Sequence, residues 1–207
     1  MDTSKVLAFI LAVLAAASCA SGTQPLPDVG RAPLALESAD GSGVPLDHLW
    51  RDRTATVLVF WSSECPCVRR YQDRVDSLLD RFPTGQVRIA GISSNAGESF
   101  ADVLRVAKER GVRLPIFRDE GGEVAAVVGV HSTPTVVVLD GSGQVRFRGW
   151  IDNERLPGDP KREPWLERAV QGLIEHRDFA ARTPIYGCAI SRSLLGPSPG
   201  HCCHEQH

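Results

Sequence analysis

The sequence lacks an excess of charge of either sign. Its 23 Lys and Arg residues nearly balance 25 Asp and Glu residues, and the formal net charge is −2. This balance gives no reason to expect nucleic acid as a partner, nor an electrostatic patch for membranes. The apolar run Val6–Ala17 also falls short of the roughly 20 residues that a membrane-spanning helix needs. The 207 residues allow one globular domain of roughly 150 residues with extensions.

The short apolar run is typical of a secretory signal, which we expect over residues 1–19. Its end, AASC at residues 16–19, resembles the lipobox of bacterial lipoproteins, in which the cysteine becomes the lipid-bearing N-terminus. Cys19 is therefore the expected lipidation site, on the periplasmic side of a bacterial cell envelope. The alternative is plain secretion with cleavage near Ala20. In either case the mature chain works where disulfides persist.

The stretch Thr54–Phe82 predicts a strand, a short turn and a helix. Residues 57–61 form an apolar, β-rich run, and later apolar residues recur at helical spacing. Cys65 and Cys67 lie where the turn becomes the helix, with Pro66 between them in a position suited to the first helical turn. The unpaired N–H groups and positive dipole end of a helix favour an anion at this position. A thiolate is the form of cysteine that attacks disulfides and peroxides.

Further strands and helices are predicted to alternate along the chain. Apolar patterns indicate strands at 86–93, 115–118, 136–139 and 144–150, and helices at 100–111, 123–129 and 163–176. Alternating strands and helices, followed by a final hairpin and helix, predict an α/β fold with a central mixed sheet flanked by helices. We expect a flexible tether over 20–32, a domain over 33–176 that opens with an N-terminal hairpin, and a C-terminal extension over 177–207.

Two segments resemble the thioredoxin-like superfamily. Residues 60–66 match its F-W-x-x-x-C-P run, which ends the central strand and in which the cysteine is the nucleophile. Thr133-Pro134 matches a pair with a cis peptide bond that opens a later strand and lies against that cysteine. The resemblance covers residues 33–176. It implies a thioredoxin-like fold, Cys65 as the catalytic thiol, and Thr133 with Pro134 as the substrate-binding face, where backbone groups pair with an extended chain.

The segment departs from the Cys-x-x-Cys pattern that most thiol oxidoreductases of this fold carry. Val68 stands three residues after Cys65, and the second cysteine, Cys67, comes one residue early. Three alternatives stay open: the two cysteines form a redox pair, a more distant cysteine resolves Cys65, or Cys67 is a small buried core residue. Peroxiredoxins share the fold and use one attacking cysteine. Ser62 matches their hydroxyl position, but Leu58 stands where their proline belongs, so peroxidase activity is the weaker expectation.

The C-terminal extension carries a further resemblance. The segment RTPIYGCAISR at 182–192 resembles a T-x-x-x-G-C-x-I element of bacterial redoxin-domain proteins in the alkyl hydroperoxide reductase and thiol-specific antioxidant superfamily. The same group tends to show a Cys-Pro followed by an Arg/Asn-Arg-Tyr run, here residues 65–71, and a Gly-x-Ile-Asp, here residues 149–152. The chain is most similar to that group. Cys188 is then either a resolving thiol for Cys65 or a structural cysteine that pins the tail.

The chain ends with HCCHEQH, whose thiolate and imidazole groups suit Cu(I) or Zn(II). No zinc-finger spacing is present, and the alternative is a disordered tail with exposed thiols. The candidate metal ligands are His201, Cys202, Cys203, His204 and His207.

The function that these observations favour is a thiol-disulfide oxidoreductase of the bacterial cell envelope that requires no cofactor. Cys65 attacks, Cys67 or Cys188 resolves, and the partners are protein dithiols and disulfides. The alternatives are a copper- or zinc-handling protein on the same fold, a thiol peroxidase, and a redox-inactive interaction module.

Overall fold

The computed structural model describes residues 27–30, 33–153, 158–177, 181–185 and 187–192. The signal expected over 1–19, with lipidation at Cys19, lies outside these ranges. The candidate metal ligands of the tail also lie outside them: His201, Cys202, Cys203, His204 and His207.

Within the described residues, ten strands are present. They are β1 (Ala35–Glu37), β2 (Gly43–Pro45), β3 (Ala55–Phe60), β4 (Val87–Ser93), β5 (Ile116–Arg118), β6 (Ser132–Thr133), β7 (Thr135–Asp140), β8 (Val145–Gly149), β9 (Ala181–Arg182) and β10 (Cys188–Ala189). Eight of them form one sheet in the order β2-β1-β5-β4-β3-β7-β8-β9. β3, β4 and β5 are parallel, whereas β7 is antiparallel to both β3 and β8. The predicted mixed sheet and its N-terminal hairpin are confirmed.

Helices cover both faces of this sheet. They are α1 (Pro66–Arg81), α2 (Phe100–Glu109), α3 (Glu123–Val127) and α4 (Trp165–Ile174), with 3-10 turns at Leu46–Leu49 and Glu120–Gly122. The predicted helices are therefore present, with ends displaced by a few residues. Among the described residues, no helix has the length and apolarity to cross a membrane.

The central strand β3 is buried along its whole length. Val57 and Val59 lie in one apolar cluster together with residues of α1 and α4. Leu58 and Phe60 lie in a second cluster, which includes residues of α3. Successive side chains of a strand point to opposite faces, so a continuous apolar run joins two cores. The end of β3 is thereby held rigidly, and the turn that carries Cys65 follows it directly.

Segments outside the predicted domain also pack against it. In the part of the predicted tether that is described, Val29 is buried and its N–H donates to the Gly143 carbonyl at 3.1 Å. Beyond residue 177, β9 pairs with β8, and β10 pairs antiparallel with β6. The C-terminal extension therefore brings Cys188 onto the body of the domain.

Candidate active site

Cys65 is the N-cap residue of α1, and Pro66 is the first helical residue. Proline suits this position because its fixed φ is helical and its missing N–H has no partner in the first turn. Glu64 and Pro66 are exposed, but the thiol-bearing residue between them is only 2% exposed. The nucleophile predicted from the sequence thus lies just beneath the surface.

The Cys65 thiol donates a hydrogen bond to the backbone carbonyl of Thr133, with 3.1 Å between Sγ and O. The Thr133-Pro134 peptide bond is cis. This is the arrangement that the resemblance to thioredoxin-like proteins implies. The structure therefore brings together the three residues expected to form the attacking thiol and the substrate face. Their roles in binding and catalysis stay predictions.

The other two described cysteines lie in the same buried cluster as Cys65. Cys67 is 2% exposed and Cys188 is 6% exposed. All three are thiols in this structure. Cys188 reaches the cluster because it is the register partner of Thr133 in the pairing of β10 with β6. The cluster also contains Trp61, Val68, Val103, Ala107 and Ile116.

A buried carboxylate, Glu98, ties down the turn that precedes Cys65. Its Oε1 accepts hydrogen bonds from Ser62 Oγ and Asn95 Nδ2, and its Oε2 accepts from the backbone N–H and the Oγ of Ser63. Charged acceptors form stronger hydrogen bonds than neutral ones, and burial makes each of them costly to lose. Glu98 therefore fixes residues 62 and 63, which lead into the nucleophile.

Two arginines hold the backbone around this network. Arg118 donates to the Glu98 carbonyl at 2.7 Å, and Arg110 donates to the Ser63 carbonyl at 2.8 Å. Arg118 is buried. A guanidinium is always charged and offers several donors in fixed directions, which suits it to clamping carbonyls. Arg110 thus holds the turn before Cys65 directly, whereas Arg118 holds the backbone that carries Glu98.

Glu98, Asn95 and the two arginines were not predicted from the sequence, although one signal could have indicated Glu98 and Asn95. The polar residues 94–98 directly follow β4, which is the parallel neighbour of β3. The carboxyl ends of parallel strands meet at one edge of a sheet, where sites of α/β proteins form. Polar residues after β4 should accordingly lie beside the residues that follow β3.

In the described residues, no group of three or more His, Cys, Asp or Glu side chains is arranged to hold a metal ion. The chemistry that this site offers is that of thiols beside a backbone carbonyl. The tail residues predicted as metal ligands lie outside the described ranges.

Several known proteins are similar to this chain. The thioredoxin-like protein SkfH of Bacillus subtilis is 28% identical over 102 residues, which are 48% of this chain and 70% of that protein. The thiol:disulfide interchange protein DsbE of Pasteurella multocida is 27% identical over 158 residues, which are 69% of this chain and 83% of that protein. Among solved structures, an uncharacterized conserved protein from Geobacillus kaustophilus has a TM-score of 0.70 and 27% identity, covering 83% of this chain and 94% of that one.

These similarities confirm the thioredoxin-like fold. The model of the AhpC/TSA family matches residues 24–148. Because this match spans more than half of the 207 residues, the chain belongs to the AhpC/TSA family.

Proposed function

We propose that the protein is a thiol-disulfide oxidoreductase, with Cys65 as the attacking thiol and protein dithiols or disulfides as substrates. The observation that carries the proposal is the position of Cys65 at the start of α1, with its Sγ 3.1 Å from the Thr133 carbonyl oxygen. Two similar proteins are named a thioredoxin-like protein and a thiol:disulfide interchange protein, which supports this chemistry.

The reaction proceeds by two exchanges. The Cys65 thiolate attacks one sulfur of a substrate disulfide, so that a Cys65–substrate disulfide forms and the other substrate sulfur leaves as a thiolate that takes a proton. A second protein thiolate then attacks Cys65 Sγ and releases the first substrate sulfur, which is protonated in turn. The substrate gains two electrons and the protein ends with one disulfide. The reverse sequence oxidises a substrate dithiol.

Cys188 is the resolving thiol that we favour over Cys67. Cys188 pairs with Thr133, the same residue whose carbonyl accepts the Cys65 thiol. Cys67 is instead the second residue of α1, and only Pro66 separates it from Cys65, a spacing too short for a disulfide of ordinary geometry without strain. Disulfides need the two Cβ atoms to face each other, which favours the partner on the neighbouring strand.

Thiol peroxidase activity is the second candidate chemistry. In the sequence, Ser62 matches the hydroxyl that positions peroxide in peroxiredoxins. That hydroxyl donates to Glu98 in the structure, and both groups are buried. A hydroxyl committed to a buried carboxylate is a poor peroxide ligand, which favours disulfide exchange.

We place the protein outside the cytoplasm, tethered to a membrane by lipid on Cys19. The apolar run before Cys19, which is typical of a secretory signal, supports this location. Metal binding by His201, Cys202, Cys203, His204 and His207 is retained as a separate proposal, which equilibrium dialysis with Cu(I) or Zn(II) tests.

The decisive experiment compares Cys65→Ser with the double variant Cys202→Ser, Cys203→Ser in a dithiol-driven insulin reduction assay. We expect Cys65→Ser to abolish catalysis and the tail variant to keep it, because only the first removes the nucleophile. Undiminished activity in Cys65→Ser would overturn the proposal. Loss of activity only in the tail variant would favour the metal-handling alternative.

A further inference from the structure

The C-terminal strand β10 lies where an extended substrate is expected to bind. Cys188 pairs with Thr133 and Ala189 pairs with Ser132, in antiparallel register. The pairing continues beyond the strand, where the Ile190 N–H donates to the His131 carbonyl at 2.8 Å. A strand that adds to a sheet edge forms main-chain hydrogen bonds with the unpaired N–H and C=O groups of that edge. Many extended peptides are recognised in this way.

The loop after β4 holds the same segment from its other side. The Ala96 N–H donates to the Ser191 carbonyl at 2.8 Å, and the Ser191 N–H donates to Asn95 Oδ1 at 2.9 Å. Asn95 also donates to Glu98, the carboxylate that fixes the turn before Cys65. Residues 187–191 are therefore clamped between the substrate edge and the loop that supports the nucleophile.

One edge of β6 pairs with one chain at a time. While β10 occupies it, a protein substrate has no backbone edge to pair with, and Cys65 stays 2% exposed in a cluster that includes Cys188. A two-residue strand buries few apolar side chains, and local opening costs less where few contacts are buried. The segment can thus leave without unfolding the domain.

We propose that residues 187–191 are a resident substrate mimic: β10 fills the edge of β6 that binds an extended Gly-Cys segment of a partner polypeptide, with Cys188 in the place of the partner's cysteine. The segment competes with such partners and covers Cys65 until it is displaced. This inference rests on the proposed function, because it assigns the partner of the same site.

Gly187 defines the sequence that the edge accepts. Its φ is +143°, a conformation that residues with a Cβ rarely adopt. A Cβ at this position would lie 2.0 Å from the Thr133 carbonyl oxygen and 2.7 Å from the Thr133 carbonyl carbon. These are backbone atoms beside the cis peptide bond and cannot turn aside as a flexible side chain would. The residue before the bound cysteine therefore has to be glycine.

The first test measures how fast iodoacetamide alkylates Cys65 in the full chain, with mass spectrometry identifying the modified residue. We expect Gly187→Ala to raise the rate at least tenfold over the unmodified protein, because the added Cβ expels β10. Gly85→Ala is the matched control, since a Cβ there meets nothing within 4 Å. Equal rates for Gly187→Ala and the unmodified protein would overturn the proposal.

If Gly187→Ala does not fold, Ile190→Pro serves instead, because proline removes the N–H that donates to the His131 carbonyl. We expect the same increase in the rate of Cys65 alkylation. If a folded Ile190→Pro variant shows no increase, the proposal is overturned as well.

The second test measures specificity with two acetylated peptides, Gly-Cys-Ala-Ile-Ser-Arg and Ala-Cys-Ala-Ile-Ser-Arg, each carrying thionitrobenzoate on its cysteine. Cys65 of the Gly187→Ala protein, or of its Ile190→Pro substitute, attacks the peptide sulfur, forms the mixed disulfide and releases coloured thionitrobenzoate. We expect the glycine peptide to react at least tenfold faster at Cys65, with Cys65→Ser as the background.

The outcomes separate the two proposals. Equal rates for both peptides at Cys65 overturn the Gly-Cys assignment and leave the oxidoreductase proposal standing. No reaction of either peptide at Cys65 contradicts the oxidoreductase proposal itself, and the assignment falls with it.

Discussion

The Cys65 thiol and the Thr133 carbonyl are hydrogen-bonded across 68 positions of the chain, with 3.1 Å between Sγ and O. Thr133 is at the same time the register partner of Cys188. One backbone unit thus links the proposed nucleophile to the C-terminal strand. The reactivity of the Cys65 thiol is consequently expected to depend on whether β10 is paired with β6.

The cysteine that resolves Cys65 can be identified with a matched pair of variants. In Cys188→Ala we expect the Cys65–substrate disulfide to accumulate, because the thiol on the neighbouring strand that releases it is gone. In Cys67→Ala we expect turnover to continue. Non-reducing gels of acid-quenched reactions measure the trapped species. Trapping in Cys67→Ala alone would reverse the assignment.

The carboxylate of Glu98 should contribute measurably to stability. Glu98→Gln replaces one acceptor oxygen by a donor, which leaves a buried donor of the network without its partner. We expect the free energy of unfolding to fall by about 1–3 kcal/mol, measured by urea denaturation. Glu109→Gln is the control, because Glu109 forms an exposed pair with Arg105 and such pairs contribute little. Equal losses in the two variants would contradict the structural role of Glu98.

A buried ion pair network joins α1 to the segment after β8. Asp152 has a fully buried side chain and binds Arg74 at 2.7 Å and Arg162 at 2.9 Å. We expect Asp152→Asn to lower the free energy of unfolding by roughly 2–3 kcal/mol, below the full penalty of a broken buried pair because both arginines reach solvent. Asp47→Asn breaks an exposed pair with Arg51 and should change stability far less. Thermal unfolding of both variants makes the comparison.

Burial raises the pKa of the Tyr71 phenol, and the negative charge of Asp152 adds to the shift. The folded protein therefore favours the neutral phenol more strongly than the unfolded chain does. Its contribution to stability is complete below the unfolded value of about 10 and is lost as the pH rises through the higher folded value. In absorbance titrations, Tyr71→Phe should remove a tyrosine ionisation that lies above the ordinary value of about 10. Loss of an ionisation in the ordinary range would contradict this.

The unit from β3 to α1 could be predicted closely from the sequence. The apolar run that forms β3 and the helical spacing after it are local signals, and Pro66 marks the first residue of α1. Cys65 at the helix start follows from these signals alone. The mixed sheet could be predicted for the same reason, because its longer strands and its helices carry apolar patterns of their own.

Local apolar patterns did not indicate which residues lie near Cys65, and Thr133 was expected there only from the resemblance to thioredoxin-like proteins. β6 and β10 have two residues each, too few to show a period, and they come from distant parts of the chain. Glu98 stands in a polar segment that a sequence pattern assigns to a surface loop, yet the edge of the sheet buries it.

The sequence by itself determined that a cysteine begins a helix after a buried strand, because neighbouring residues decide local backbone structure. Only the tertiary structure decided that Thr133 and Cys188 pair beside that cysteine and that Glu98 binds the turn before it. Contacts between distant segments depend on how the sheet assembles, and no local pattern of side chains encodes them.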